Sequence, residues 1–260
     1  MRIAIKFGYN GSRFAGYQRQ PLLPTVEGVI IEKCREIGAF RSPEEARFQS
    51  ASRTDRGVHA IGNVVAFNTH FQVEELLDGL NNLCEDMLFH SYLEVPATFN
   101  PRHALMRHYR YLLYEKVVEE ELIEALSLFT GRRDLRLFHK PSNRKGDDIA
   151  RITVSAKGEA RQIDIYARSF LYNMVRRIVA AATAVASGRR KMEELKEALA
   201  GREVKTFGLA KPDFLYLMDV DYGMRFRHCK VQGKIMERWL EFTHRTEAQS
   251  ILGRELLELA

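Results

Sequence analysis

Cysteine is scarce in this chain. Its 260 residues include only three, Cys34, Cys84 and Cys229, and none of them belongs to a Cys-x-x-Cys pair. Scattered thiols of odd number argue against a disulfide framework and a structural zinc site, and they suit a reducing compartment.

Long hydrophobic runs are missing as well. The most apolar stretch, 170–186, is interrupted by Arg176 and Arg177, so no segment reaches the length that spans a bilayer. The first residues enter a strand-like segment at once, which leaves no room for the apolar core of a signal peptide. We therefore expect a cytoplasmic protein without a membrane anchor.

The excess of positive charge is modest. The chain has 40 Lys and Arg against 34 Asp and Glu, a net charge of +6, and 28 of the 40 basic residues are Arg. Arginine is suited to planar, bidentate contacts with phosphates and bases. The composition thus permits a nucleic-acid partner without requiring one.

The hydrophobic periodicity predicts two successive sets of elements in the order β-α-β-β-α-β. The first set has strands at 2–9, 46–53, 63–69 and 87–95 and helices at 25–38 and 72–82. The second has strands at 107–117, 150–157, 161–168 and 213–221 and helices at 119–130, 170–187 and 191–200. We predict an α+β protein made of two ferredoxin-like (split βαβ) halves whose antiparallel sheets join around a central basic cleft.

The two predicted halves meet at a segment with two prolines, Pro96 and Pro101. We place an N-terminal half at 1–100, a C-terminal half at 101–225 and a helical, partly apolar tail at 226–260. The polar connection 131–145 is expected to be a surface loop.

The most informative stretch is 51–60, Ala-Ser-Arg-Thr-Asp-Arg-Gly-Val-His-Ala, which lies between two predicted strands. It places Asp55 on a short turn, flanked by Arg53 and Arg56. Turns held by rigid strands are common positions for reactive groups, although an isolated Asp in such a turn more often bonds its own backbone.

Four segments together closely resemble the TruA-type tRNA pseudouridine synthases, as an archaeal-like or divergent member, over about 1–222. They are Tyr9-Asn10-Gly11-Ser12-x-Phe14-x-Gly16-Tyr17-Gln18-x-Gln20 with Thr25-Val26-Glu27-Gly28; Arg53-Thr54-Asp55-x-Gly57-Val58-His59-Ala60; Arg107-x-Tyr109-Arg110-Tyr111; and Ser169-Phe170-Leu171-Tyr172-Asn173-Met174-Val175-Arg176. The sequence departs from the family pattern at four positions: Asn10, Tyr17, Ser52 and Arg56. None of the departures alters the carboxylate.

The resemblance implies isomerisation of uridine to pseudouridine in the tRNA anticodon stem-loop, without cofactor or metal. Asp55 matches the essential carboxylate, which attacks the base or the sugar C1′ or stabilises an oxocarbenium-like state. Tyr109 matches the tyrosine that stacks on the flipped base, and Arg176 the ion-pair partner of the carboxylate. Tyr111 is interpreted as a sheet-core residue.

Further side chains are candidates for RNA contacts. They are Arg13, Gln18, Arg19, Arg53, Arg56, His59, Arg107, Arg110 and Arg177. A metal site at Asp55 and His59 is disfavoured, because two ligands without a third His or Cys nearby are too few for zinc.

Two alternatives remain open from the sequence. One is a catalytically silent RNA-binding protein of the same fold, which would not need Asp55, Tyr109 and Arg176 together. The other is a metal-dependent hydrolase that uses Asp55 and His59; its further carboxylates would have to come from Asp134, Asp147 and Asp148, which form no recognisable ligand pattern. The resemblance also implies a homodimer that holds both the anticodon arm and the elbow of tRNA.

Overall fold

The structure, a computed structural model, describes residues 1–131, 133–140, 148–231 and 233–258. The N-terminal part forms β1 (Arg2–Tyr9), α1 (Val26–Glu36), β2 (Gln49–Ser50), β3 (His59–Asn68), α2 (Val73–Leu83) and β4 (Met87–Val95). β1 lies between β3 and β4 and is antiparallel to both, and the short β2 pairs with the far end of β3.

The following part repeats this order of elements. It forms β5 (Met106–Leu113), α3 (Glu119–Ser127), β6 (Ile149–Lys157), β7 (Ala160–Ala167), α4 (Met174–Ala186), α5 (Met192–Leu199) and β8 (Leu215–Asp221). β5 lies between β7 and β8, and β6 pairs with the outer edge of β7. The chain then forms β9 (Arg227–His228), which pairs with β4, and the long helix α6 (Lys234–Glu258).

Among the described residues, the nine strands belong to one mixed sheet, whose two parts join through the parallel pairing of β3 with β8. The first residues of β3, His59 and Ala60, pair with Tyr216 and Leu217. Further along the same edge, β3 pairs with β2 instead. The loop 51–58 therefore leaves β2 and enters β3 at the point where the two parts of the sheet meet.

Helix α4 is buried on nearly all sides. Ten of its thirteen residues are buried, and the other three are Arg176, Arg177 and Ala180. This burial explains why the helix contains five alanines, at 180, 181, 182, 184 and 186, because only short side chains leave room for close neighbours. Helix α3 packs against α4, and α1 packs against α2.

Most predicted elements are confirmed within a few residues, with clear differences at the functional loops. The strand predicted at 46–53 shrinks to β2, because Arg47 adopts a left-handed φ of 50° and 51–58 leave the ladder. The helix predicted from 170 begins at 174, after Asn173 with φ 66°.

The sequence did not predict β9. The predicted loop 131–145 lies partly outside the described residues, since 132 and 141–145 are not described, and 136–138 form a 3-10 turn.

The tail contains the predicted helix, α6, which contacts α2 near its start. Beyond that contact its side chains are largely exposed, including several large apolar ones, Leu240, Phe242, Ile251, Leu252, Leu256 and Leu257. Of the helices that the structure describes, none combines the length and the apolar character needed to cross a membrane.

Candidate active site

The loop that carries Asp55 is held by hydrogen bonds from the strand and turn beneath it. Val58 N–H donates to the Asp55 carbonyl (3.2 Å), which closes a tight turn, and Tyr17 N–H donates to the Thr54 carbonyl (3.1 Å). The Thr54 hydroxyl lies 2.8 Å from the hydroxyl of Tyr9 on β1. The backbone on either side of Asp55 is thus fixed from the N-terminal part of the fold.

Two glycines allow neighbouring turns to approach this loop closely. A Cβ at Gly11 would lie 2.0 Å from the Val58 carbonyl oxygen, so any side chain there would force the turn apart. Gly57 has φ +84°, and a Cβ there would lie 2.9 Å from Pro212 Cγ. Glycine is required at both positions for different reasons, steric contact at Gly11 and a left-handed backbone at Gly57.

Asp55 forms an ion pair with Arg176, the pairing that the family resemblance implies. Asp55 Oδ2 and Arg176 Nη1 are 2.9 Å apart, and the two side chains are only 11% and 12% exposed. At this burial, removing one partner would leave the other charge without compensation, which typically costs about 3–5 kcal/mol. The pair is therefore a strong constraint on the loop and on α4.

The backbone of Ala210 forms two hydrogen bonds with Arg176, one of them with its guanidinium. Arg176 Nε donates to the Ala210 carbonyl (2.7 Å), and Ala210 N–H donates to the Arg176 carbonyl (3.2 Å). The fork of Arg176 thus contacts a carboxylate with one nitrogen and a carbonyl with another, a geometry that lysine cannot reproduce. The sequence offered no sign of Ala210, because its contribution is a backbone group.

Tyr109 lies on β5 and is buried, with 7% of its surface exposed. Its ring meets Phe170 edge to face, with centroids 5.0 Å apart. Burial raises the pKa of the Tyr109 phenol far above its usual value, and the charge of Asp55 raises it further. The phenol is therefore protonated at neutral pH and can donate a hydrogen bond but not accept a proton.

Tyr111, two residues further along β5, is also buried and packs edge to face against Phe214. Burial raises its pKa to about 12, partly offset by the positive charge of Arg176. Its placement agrees with the sheet-core interpretation.

Five of the residues predicted to contact RNA are exposed around this site: Arg13, Gln18, Arg19, Arg53 and Arg56. Arg13 Nε lies 3.4 Å from Asp86 Oδ1, and Arg19 Nε lies 3.7 Å from Glu27 Oε2. Pairs this exposed contribute little to stability, so both side chains can turn to another anion.

Arg107, another of these candidates, is instead buried and directed into the protein. Its Nε donates to the Ser52 hydroxyl (2.9 Å), and Nη2 donates to the carbonyls of Ala51 and Arg102 (3.0 Å each). Nη1 also donates to the Arg168 carbonyl. One guanidinium thus ties the start of the Asp55 loop to the connection that precedes α4.

The remaining candidates are also engaged within the protein. Arg110 forms a bidentate ion pair with Asp164, at 2.9 and 3.3 Å. Burial alternates along β5, so Arg110 lies on the other face of the sheet from Tyr109. Arg177 Nη1 donates to the Leu137 carbonyl (3.2 Å) and borders a cavity of about 80 Å³. His59 bonds through both ring nitrogens, to Gly11 and to Asp213.

Three of the four departures from the family pattern have a structural role. Asn10 Oδ1 accepts from Ser12 N–H (3.2 Å) and from the Ser12 hydroxyl (2.8 Å), so it caps the turn at Gly11. Ser52 provides the hydroxyl that Arg107 bonds. Tyr17 is buried beside Tyr9, with ring centroids 6.3 Å apart. Nothing in the structure explains Arg56.

The assembled site offers one carboxylate, one fixed cation and a buried aromatic wall. Arg176 Nη1 engages Oδ2 of Asp55. Within the part of the chain that the structure describes, no group of three or more His, Cys, Asp or Glu side chains could hold a metal ion. The arrangement suits covalent or electrostatic catalysis by Asp55.

Comparisons with known proteins identify the family of this chain. A family model described as tRNA pseudouridine synthase matches residues 125–223. A protein of Pyrococcus abyssi named tRNA pseudouridine synthase A is 40% identical over 265 residues, which cover 99% of this chain and 97% of the relative. Proteins of the same name from Methanothermobacter thermautotrophicus and Methanococcoides burtonii are 36% and 39% identical. Their alignments cover 87% and 85% of this chain, respectively, and 83% of each relative.

One solved structure, described as "Crystal Structure of a Cbf5-Nop10-Gar1 Complex", aligns with a TM-score of 0.33 and 13% identity. The alignment covers 68% of this chain and 44% of that one. A likeness this slight carries no argument about fold or function.

Proposed function

This chain belongs to the TruA-like tRNA pseudouridine synthases, which are isomerases, and on that premise we propose the roles of its residues. We infer that Asp55 is the essential carboxylate, that Arg176 positions and balances it, and that Tyr109 stacks on the target uracil. The observation that carries the proposal is the 2.9 Å ion pair between Asp55 and Arg176 beside a buried tyrosine.

The reaction breaks the bond between N1 of uracil and C1′ of ribose, turns the base, and joins C5 to the same C1′. N1 gains a proton and C5 loses one, so the change is an isomerisation. The Asp55 carboxylate can bond to C1′ or to the base, or stabilise positive charge that develops on the sugar. Since Arg176 already neutralises Oδ2, the carboxylate remains oriented while the glycosidic bond breaks.

Tyr109 provides an apolar surface with a protonated hydroxyl. A base that enters the site would stack on this ring, an interaction typically worth about 1–3 kcal/mol. Because the pKa of the phenol is raised by burial and by Asp55, we assign it no role as the base that removes the C5 proton.

We propose that the substrate uridine lies in the anticodon stem-loop and leaves its stack to reach Asp55. A carboxylate as buried as that of Asp55 cannot contact C1′ or the base ring of a paired nucleotide unless the nucleotide is flipped outward. The exposed side chains around the loop, Arg13, Gln18, Arg19, Arg53 and Arg56, would contact the RNA around the flipped nucleotide. The setting we propose is the cytoplasm, which suits the free thiols of the three cysteines.

The halves of the fold have distinct tasks in this proposal. We interpret 1–100 and 101–225 as two split βαβ units, the first carrying the Asp55 loop and the second carrying Tyr109 and Arg176. This division is supported by the strand orders β4-β1-β3 and β8-β5-β7-β6, with β2 beside β3. A basic cleft between the units would receive the anticodon arm.

We further propose that the protein acts as a homodimer. A single chain of this size offers limited surface for both the anticodon arm and the elbow of tRNA, and a second subunit would supply the rest. Helix α6, in the tail 226–260, has exposed apolar side chains that could be buried at or near such a contact.

The direct test is to incubate the purified protein alone with an unmodified tRNA transcript and to map pseudouridine. Formation at uridines of the anticodon stem-loop would support the site proposed here. Pseudouridine only elsewhere in the tRNA would refute the proposed position while leaving the reaction intact.

A further inference from the structure

The Asp55 loop lies between two short turns that come from different parts of the chain. On one side is the 3-10 turn Gly11–Arg13, on the other the 3-10 turn Pro212–Phe214 that precedes β8. Gly11 approaches the Val58 carbonyl, and Pro212 lies against Gly57. The position of Asp55 therefore depends on how firmly these two turns are held to the loop.

The side chain of His59 joins both turns. Its Nδ1 accepts from Gly11 N–H (3.1 Å), and its Nε2 lies 3.1 Å from the Asp213 carbonyl oxygen. A ring nitrogen that accepts carries no proton, and a nitrogen that faces a carbonyl must donate. Both contacts are satisfied together only by the neutral imidazole with its proton on Nε2. The ring also stacks on Tyr216, with centroids 5.0 Å apart.

The carbonyls that His59 and Arg176 engage belong to one short segment, 210–213. Arg176 Nε donates to the Ala210 carbonyl, and Nε2 of His59 donates to the Asp213 carbonyl. Arg176 in turn meets Asp55, which lies four residues before His59. The contacts close a ring from Asp55 through its turn to His59, then through 210–213 to Arg176, and back to Asp55.

We propose that His59 is a positioning residue for the isomerisation. Its neutral ring sets the distance between the Asp55 turn and segment 210–213, and so keeps the Asp55 carboxylate in contact with the Arg176 guanidinium. This role rests on the proposed function of Asp55, and it differs from the RNA contact predicted from sequence. A misplacement of about 1 Å in such a site can reduce the rate about 100-fold.

The proposal predicts a loss of activity in acid. Protonation of Nδ1 would turn an acceptor into a donor that faces Gly11 N–H, and the contact would break. The groups that face the ring are the Asp213 carboxylate, which favours protonation, and the Tyr216 phenol, whose pKa burial raises. In the turn at Gly11, Arg13 is directed to Asp86. Burial outweighs Asp213 and lowers the pKa of His59, so the ring stays neutral until the pH falls below its ordinary range near 6.5.

Two substitutions separate the contacts of His59. His59→Gln places an amide nitrogen near the position of Nε2 and can still donate to Asp213, whereas His59→Asn places an oxygen near Nδ1 and can accept only from Gly11. His90→Gln is the matched control, because His90 also contacts a backbone carbonyl, that of Ile61 (2.9 Å), and burial also lowers its pKa.

Single-turnover pseudouridine formation with saturating enzyme, measured from pH 5 to 8, tests the proposal. His59→Asn should slow the step at least about tenfold with unchanged RNA affinity. His59→Gln lacks the acceptor for Gly11, as the protonated ring does, so it should react at the parent's low-pH rate throughout and lose the acid limb. His90→Gln should keep the parent rate and the parent's acid limb, which is the fall in rate at low pH. A His59→Asn variant as fast as the parent, or an acid limb that persists in His59→Gln, would overturn the proposal.

A second measurement keeps this inference separate from the proposed function. The ¹⁵N shifts of the His59 ring at pH 7 should show the Nε2–H tautomer, and Gly11 N–H should shift in His59→Ala. If the parent protein forms no pseudouridine, the proposed function fails whatever the tautomer. If the parent is active but the ring is protonated or has its proton on Nδ1, the role of His59 is refuted.

Discussion

Asp55 and Arg176 are separated by 121 positions in the chain, yet their charged atoms lie 2.9 Å apart with both side chains nearly buried. They come from different parts of the fold, the β2–β3 loop and helix α4. The parallel pairing of β3 with β8 brings these parts together, so the ion pair can form only when this junction is intact. Its integrity should govern both catalysis and part of the stability.

Replacing Asp55 by Asn should abolish pseudouridine formation while leaving most of the RNA affinity. The amide has nearly the same shape but is a poor nucleophile and carries no charge, and most of the affinity for RNA comes from phosphate contacts elsewhere. The assay maps pseudouridine in a tRNA transcript in the presence of EDTA, since no metal is proposed to take part. A rate within about tenfold of the parent would contradict the assignment.

Removing Arg176 should affect both the reaction and the fold. Arg176→Met leaves the nearly buried Asp55 carboxylate unpaired, which should reduce the free energy of unfolding by about 3–5 kcal/mol. Arg176→Lys keeps the charge but not both contacts, and should slow turnover with a smaller loss of stability. Urea unfolding and single-turnover rates measure the two effects.

The control for this prediction is the double variant Asp55→Asn with Arg176→Met. It removes both charges, so it should be more stable than Arg176→Met alone. Equal stability of Arg176→Met and the double variant would mean that the unpaired carboxylate costs nothing in Arg176→Met, which would contradict this prediction.

Tyr109 should act through its ring more than through its hydroxyl. Tyr109→Phe keeps the stacking surface and the edge-to-face contact with Phe170, whereas Tyr109→Ala removes both. We expect kcat/KM to fall by about 10- to 100-fold in the Ala variant, as loss of one stacked base would predict, and far less in the Phe variant. Tyr111→Phe is the matched control on the same strand. If Tyr109→Phe were as slow as Tyr109→Ala, the hydroxyl would have an essential role.

RNA affinity should fall steeply with salt, because exposed arginines near the Asp55 loop displace counterions from the phosphates. Arg53→Ala should weaken binding and, if Arg53 neutralises one phosphate, reduce the slope of log K against log[salt] by about one. Arg245→Ala removes another exposed arginine, from α6, and serves as the control. An affinity that is insensitive to salt would show that this surface does not bind the RNA backbone.

The protein should be a dimer at micromolar concentration, as light scattering can determine. Truncation before α6 tests whether the tail contributes, since its large apolar side chains would be buried by a nearby subunit. A fully active monomer would refute the dimer without affecting the chemistry at Asp55.

The order of helices and strands could be predicted from the sequence, because periodicity in side-chain polarity reflects local burial. The three residues of the proposed site could also be found, since Asp55, Tyr109 and Arg176 each lie in a recognisable motif. The local pattern did not reveal where strand pairing ends. The predicted strand 46–53 shrinks to two residues because side chains and turns from elsewhere hold the loop outside the sheet.

Only the tertiary structure decided what the basic residues do. The sequence does not distinguish Arg107 from Arg53, but Arg107 donates to carbonyls of two distant segments and of the nearby Arg102, while Arg53 is exposed. The carbonyls of Ala210 and Asp213 illustrate the same limit. Every residue has such a group, so nothing in the sequence distinguishes these two. Their roles arise because the join between β3 and β8 places segment 210–213 beside the Asp55 turn, and contacts across such distances depend on packing of the whole chain.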